Sequence, residues 1–224
     1  MNERLKIDWT TIATVLLDMD GTLLDLHFDN HFWREHLPAR YAQKNGLTDE
    51  QARRRLYERF AAQEATMNWY CVDYWSRELD MDIALLKEEV AHLIAVHPRV
   101  IDFLKFLRKM EKRRVLVTNA HHKSLALKLK HTPLGAHLDK IVCAHDLGLP
   151  KENTAFWKRL QRVMPFDPAT TLLIDDNLQV LDSAARHGIA HLVAVARPDS
   201  RQPARPTGNF SAVADPGQLI GPSA

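Results

Sequence analysis

The chain has 224 residues, of which 46% are hydrophobic, enough apolar material for one large or two modest cores without disulfide staples. Lys and Arg number 30 against 28 Asp and Glu, and a net charge of +2 excludes a general field for nucleic acid or anionic lipid. Only Cys71 and Cys143 occur, no apolar run approaches the roughly 20 residues of a membrane helix, and the amino end "MNERLKIDW" lacks the apolar centre of a signal peptide, so a reducing cytoplasm is the expected compartment.

In chain order, the first strong signal is "IATVLL" (12 to 17), a short run rich in β-branched residues that reads as a buried strand. It ends in "DMDGT", which sets Asp18 and Asp20 two residues apart. Residues 25–98 then show only helical signals. Thr48 and Gln51 in "LTDEQARRRLYERFAAQEA" have capping-box spacing, "NWYCVDYWSREL" is a further candidate, and "DIALLKEEVAHLIAV" aligns Ile83, Leu86, Val90, Leu93 and Ile94 on one face. Three or four such helices predict a small bundle inserted into the main domain, with Pro98 marking the return through "RVIDFLKFLRKM".

Four more strand-like runs follow: "RVLVT" (114 to 118), "KIVCA" (140 to 144), "TLLI" (171 to 174) and "HLVAV" (191 to 195). Helical spacing near 122 to 131, 153 to 164 and 178 to 187 separates them, and Gly188 is a left-handed helix stop. Alternation of strand and helix predicts an α/β fold, a doubly wound parallel sheet built from residues 1–24 and 99–224, with the helical cap at 25–98. Five of the eleven prolines lie from Arg197 onward, so 197–224 is expected to be an irregular, extended tail.

Ligands of open parallel sheets sit beyond the carboxyl ends of the strands. That rule gathers Asp18 and Asp20 after the first strand, Thr118 and Asn119 after the second, Lys151 beyond the third, and Asp175 and Asp176 after the fourth. Converging carboxylates repel and take up protons unless a cation intervenes. A hard divalent ion held by oxygen ligands, Mg²⁺, meets the need, with Asp18, Asp20, Asp175 and Asp176 as candidate ligands. Lys151 supplies a second positive charge, and the Thr118 hydroxyl with nearby backbone N–H groups, those around Asn119 included, suits phosphate oxygens.

"DMDGT", "VTNA", "LPK" and "LIDD" resemble, in order and spacing, the four motifs of the haloacid dehalogenase-like phosphohydrolases, whose helical cap follows the first motif. The resemblance covers the chain apart from the tail. It implies a Rossmann-like core and a phosphate monoester as the small-molecule substrate. It also implies Asp18 as the nucleophile forming an aspartyl phosphate, and Asp20 as general acid and base with its backbone carbonyl on the metal. Thr118 becomes a phosphate donor and Lys151 the charge anchor. Asp175 and Asp176 both stand as metal ligands, and the sequence does not apportion them. Asn177 reads as the cap of the helix at 178.

Selectivity is expected from the cap, which holds all four tyrosines (Tyr41, Tyr57, Tyr70, Tyr74) and Trp33, Trp69 and Trp75. Each ring is either core of a small bundle or a surface on which a base stacks. "LLDLHFDNHFW", "NWYCVDYWS" and "KLKHTPLGAHLD" resemble bacterial GMP/IMP nucleotidases, which implies a purine 5′-monophosphate substrate. Asn30, Trp69 and Asp73, with Asp29 and Asn68, are the cap candidates for its base and ribose. Neither a nucleic-acid nor a membrane partner is expected, and monomer and dimer are both left open.

The alternatives within the superfamily are a sugar phosphatase and a phosphomutase. A non-enzymatic phosphoacceptor module would carry its acceptor after the third strand, at "CAHDLG", and would have no long cap. His27 and His31 with His121 and His122 invite a zinc reading, but no carboxylate or cysteine in the sequence pattern completes the set.

Overall fold

The computed structural model describes residues 5–221. Six parallel strands form one sheet in the order β3-β2-β1-β4-β5-β6: β1 Thr14–Leu17, β2 Arg113–Thr118, β3 Lys140–Cys143, β4 Thr171–Asp175, β5 His191–Val195 and β6 Ala212–Val213. The strand order reverses direction at β1, which pairs with β2 on one side (Leu17 opposite Leu116) and β4 on the other (Leu17 opposite Ile174). The crevice beyond the carboxyl ends of β1, β2 and β4 is therefore the topological switch point where ligands of such sheets bind.

Alternation along β1 covers both faces. Val15 and Leu17 pack with Phe103, Leu104 and Leu107 of helix α7 (Val100–Lys109), while Leu16 packs on the other face with Phe156, Trp157 and Leu160 of α10 (Thr154–Val163) and with Val180, Leu181 and Ala184 of α11 (Leu178–His187). Helix α8 (His122–His131) follows β2, and the short α9 (Ala144–Leu147) follows β3. Gly188 closes α11 with a φ of 101°.

Residues between β1 and α7 are helical. The first stretch runs from α1 (His27–His31) through a π turn at Phe32–His36 into α2 (Leu37–Asn45). Pro38 has no N–H to donate backward, and the loosened turn stands just before it. Next comes α3 (Asp49–Ala61), opened by the Thr48/Gln51 capping box. The single helix expected over "NWYCVDYWSREL" is two, α4 (Met67–Tyr70) and α5 (Val72–Leu79), because Cys71 is extended (φ −88°, ψ 108°) and its sulfur caps the second. Helix α6 (Ile83–Glu89) is also shorter than its pattern, which continues as a 3₁₀ turn at Ala91–Leu93. Phe28, Phe32, Leu56, Trp75, Ile83 and Leu86 form the core of these helices.

The segment from Arg197, expected to be an irregular tail, departs from that reading at β6, which extends the sheet through Ala194 and Val195. It also crosses the rim. The Pro198 carbonyl accepts Leu26 N–H at 2.8 Å and bonds a His97 ring nitrogen at 3.0 Å, and Asn30 Nδ2 donates to Asp199 Oδ2 at 2.7 Å.

The turn after β1 depends on Gly21, at φ +84°, where a Cβ would stand 2.8 Å from the Asp176 carboxyl carbon and 2.9 Å from Pro198 Cβ. Gly21→Ala is expected to cost more than about 1 kcal/mol in urea denaturation, because backbone strain and displacement of Asp176 act together.

Candidate active site

Lys151 is the centre of the site. Its side chain is 2% exposed; Nζ donates to Asp18 Oδ1, to Asp175 Oδ2 at 2.7 Å and to the Val117 carbonyl at 3.1 Å. The loop that carries it is fixed on both sides: Lys151 N–H donates to Asn119 Oδ1 at 2.9 Å, and its carbonyl accepts the Ser183 hydroxyl. Adjacent Glu152 ties three elements together, accepting Tyr70 OH at 2.5 Å, Asn119 Nδ2 at 2.9 Å and Asn177 Nδ2 at 3.0 Å. Burial and the Glu152 carboxylate push the Tyr70 hydroxyl upward, so it remains a donor.

Asp18, Asp175 and Asp176 present carboxylate oxygens within 4.8 Å of one another. Burial, then the neighbouring acids Asp175 and Asp20, raises Asp18 to about 7 against the pull of Lys151. Burial and Asp176 raise Asp175 to about 6, and burial and Asp18 raise Asp176 to about 7 although Arg205 Nη2 donates to it at 2.7 Å. Burial alone would lower Lys151, yet Asp175 and Asp18 hold it above its ordinary value. One buried lysine and one half-exposed arginine thus face three acids, and the excess of negative charge is what raises the carboxyls. This donor set, oxygen only and anionic, fits a hard divalent cation.

A second charged cluster stands where the helices of residues 25–98 meet the sheet. Lys128 Nζ donates to Asp20 Oδ1 and Asp29 Oδ2, each at 2.6 Å, and Lys87 Nζ donates to Asp29 Oδ1 at 2.8 Å while lying 4.6 Å from the Phe32 ring centroid. Burial opposes the charged form of Asp29, but Lys128 and Lys87 hold it well below the usual carboxylate range. Asp20, sharing Lys128 with Asp29, is raised by its burial.

These groups open into one cavity of about 880 Å³, whose wall also includes Asn30, Trp33, Tyr57, Phe60, Trp69 and Thr207. Of the residues singled out in the sequence, Asp18, Asp20, Asn30, Trp69, Thr118, Asn119, Lys151, Asp175 and Asp176 all reach it. Asp73 does not line the cavity; it pairs with Lys123 at 2.6 Å on the outside. Asn68 is also absent from the wall and donates to Gln63 Oε1 at 2.9 Å. Asn119 spends both amide ends on the Lys151 loop, and Asn30 donates to Asp199, so both order the site's frame in this arrangement. Asn177 caps α11, accepting Gln179 N–H at 2.9 Å. Lys87, Lys128, Glu152 and Arg205 were not anticipated as site residues, and Tyr70, expected as a ring for stacking or core, bonds Glu152 through its hydroxyl. Their partners lie far away in sequence, and only the adjacency of Glu152 to Lys151 offered a signal.

Comparison with known proteins agrees with this geometry. A family model described as haloacid dehalogenase-like hydrolase matches residues 12–188. The chain is 42% identical over 196 residues, covering 88% of each protein, to the GMP/IMP nucleotidase YrfG of Escherichia coli, and equally to that of Shigella flexneri. Among solved structures, a HAD phosphatase from Thermococcus onnurineus superposes with a TM-score of 0.77 at 21% identity, over 93% of this chain and 96% of that one, a likeness of fold.

Two outcomes follow from the charges. Carboxyls raised in the folded state bind more protons than in the unfolded chain between about pH 4 and 7, so their contribution to metal-free stability is fullest below pH 4 and lost as pH rises through 7. The metal-free melting temperature of Asp18→Asn relative to the parent is therefore expected to climb across that window, and Mg²⁺ affinity, read by calorimetry, to fall as pH drops from 8 to 6. Lys128→Met, which leaves the half-buried Asp20 without its cation and Asp29 with Lys87 alone, is expected to cost about 3 kcal/mol in denaturant unfolding.

Proposed function

The chain belongs to the haloacid dehalogenase-like hydrolases, and from that premise we propose that it hydrolyses purine 5′-monophosphates, GMP and IMP, through an aspartyl-phosphate intermediate with Mg²⁺. The observation that carries the phosphatase reading is the meeting of Asp18 and Asp175, from adjacent strands, on the one buried Lys151 at the cavity floor. The purine reading is supported by the 42% identity to a GMP/IMP nucleotidase and by an aromatic wall, Trp33, Tyr57, Phe60 and Trp69, on the same cavity.

In this mechanism an Asp18 carboxylate oxygen attacks phosphorus, and the bond to the ester oxygen breaks as Asp20 delivers its proton to the departing nucleoside. Burial raises Asp20, which favours the protonated form this step needs, while Lys128 fixes its orientation. Water then attacks phosphorus, Asp20 takes the proton back, and the acyl phosphate bond breaks to release inorganic phosphate and restore Asp18. Lys151 holds charge against the phosphoryl oxygens throughout, and the buried Thr118, whose hydroxyl oxygen accepts the Ala120 N–H at 3.0 Å, has its own O–H to give them. Asp18, Asp175, Asp176 and the Asp20 carbonyl would hold Mg²⁺, whose charge would offset the repulsion between the carboxylates and the phosphate dianion.

Asp18 and Asp20 flank a bend at Met19 and both line the cavity, while the Met19 side chain packs into the sheet core.

Phosphate release from IMP, GMP, AMP, CMP and sugar phosphates, with and without Mg²⁺, tests the proposal: kcat/KM is expected to be highest for IMP and GMP and to collapse on chelation. A sugar phosphate as the best substrate overturns the purine reading and leaves the phosphatase reading standing. Asp18→Asn is expected to lower kcat by at least about 10³-fold and Asp20→Asn by about 10²–10⁴-fold; retention of a tenth of the activity by the first excludes Asp18 as nucleophile. Trp69→Ala is expected to lower kcat/KM for IMP about 10-fold, the worth of one stacked base at the lower end of its range.

A further inference from the structure

A third cluster stands beside the carboxylate floor and takes no part in the chemistry above. Cys71, His121 and His145 each offer one ligand atom, and the three atoms lie within 4.8 Å of one another. They come from three elements. Cys71 is the break between α4 and α5, His121 caps α8 directly after the β2 motif, and His145 lies on α9 beyond β3. The zinc reading of the sequence grouped His121 with three residues that find other partners: His27 approaches Asp199 at 3.8 Å and His31 approaches Glu35 at 3.6 Å, while His122 approaches Asp146 at 3.1 Å. The cysteine that the sequence pattern lacked arrives from 50 residues before His121.

The surroundings suit soft-donor coordination. The Cys71 sulfur accepts the Tyr74 N–H at 3.3 Å, which fixes its position at the head of α5. His145 Nε2 is buried and has no hydrogen-bond partner, an orphan that a ligand would satisfy. Its ring meets that of His121 edge to face, with centroids 4.9 Å apart. Burial, then His121 and His122, lowers His145 to about 4, and burial also lowers His121, so both rings are neutral near pH 7 and carry a free lone pair. Sulfur with two imidazoles is a set for zinc-like ions and a poor one for Mg²⁺, the reverse of the oxygen-only set at the floor.

We infer that Cys71, His121 and His145 form a binding site for a thiophilic divalent cation, Zn²⁺ foremost, that fastens the inserted helical segment to the sheet domain. Zn–S near 2.3 Å and Zn–N near 2.0–2.1 Å place tetrahedral donors roughly 3.3–3.6 Å apart, so the donor atoms close by at most about 1.5 Å. Coordination through either nitrogen of His121 gives up the 3.3 Å capping contact from Lys123 N–H to Nδ1. The Cys71 thiol releases its proton to solvent as the Zn–S bond forms. The fourth position falls to water or to Asp73, whose Oδ2 is 3.7 Å from His121 Nε2.

The test uses the full chain, stripped with a chelator, reloaded with Zn²⁺ or Co²⁺ in excess Mg²⁺, and desalted before metal analysis. One Zn²⁺ per chain is expected to remain, and the Co²⁺ form to show thiolate-to-metal charge-transfer absorption. Cys71→Ser should abolish that absorption and weaken Zn²⁺ retention by more than about 100-fold, beyond the loss typical of an outer-sphere change. His145→Gln should also weaken retention and serves if the cysteine variant fails to fold. Cys143→Ala, which removes the other thiol, should leave both readouts unchanged. Failure to retain Zn²⁺, or retention and spectrum unaltered in Cys71→Ser, overturns the site. So does loss of the ion in Asp175→Asn with full retention in Cys71→Ser, since the ion would then sit among the carboxylates.

Discussion

A lysine with 2% side-chain exposure is tolerable only because carboxylates from two strands surround it, and those carboxylates are tolerable together only because of the lysine. Lys151, Asp18 and Asp175 therefore stand or fall as a unit. The frame around them is rigid for the same reason: Asn119, Glu152, Asn177 and Ser183 all bond to the Lys151 loop or to its neighbour. Even so, negative charge exceeds positive among the groups at the floor. The surplus raises three carboxyls and suits the proposed divalent cation and, with it, a phosphate dianion.

The junction with the inserted helices repeats the device at a distance. Asp29 rides on α1 and meets Lys128 from the sheet domain and Lys87 from α6. Because Lys128 also holds Asp20, the proposed proton carrier is bonded through one side chain to the inserted helices. Lys87 in turn packs near the rings of Phe28, Phe32 and Trp33, and Lys128 lies 5.3 Å from the Phe28 centroid, so Phe28 of the insertion's aromatic core and Asp20 share the Lys128 cation.

Much of this was legible in the sequence, and the reason differs by element. The first five strands are continuous apolar runs because both faces of the sheet are covered, and the polar residues that end them fall where parallel sheets bind ligands. Asp18, Asp20, Lys151, Asp175 and Asp176 could therefore be grouped without coordinates. Lys87, Lys128 and Arg205 could not, since lysine and arginine on helices and loops are ordinarily solvated and nothing local marks the few that are buried or enlisted. Strand β6 has two residues, too few for a periodic signal. Cys71 looked like one position inside a helix, and its extended backbone, set by the sulfur cap, hid its meeting with His121 and His145. Asp73 carried the right chemistry on the wrong side: α5 turns it outward to Lys123.

The central place of β1 bears on how the molecule assembles. Leu17 pairs with Leu116 and Ile174, so β1 stays unpaired on both edges until far more of the chain has been made. Such long-range pairing implies slow folding and a lengthy exposure of the apolar segment "TVLL". The same arrangement that brings distant acids onto one cation thus leaves both edges of β1 covered only once residue 174 has emerged, the interval in which exposed strand edges are most prone to aggregate.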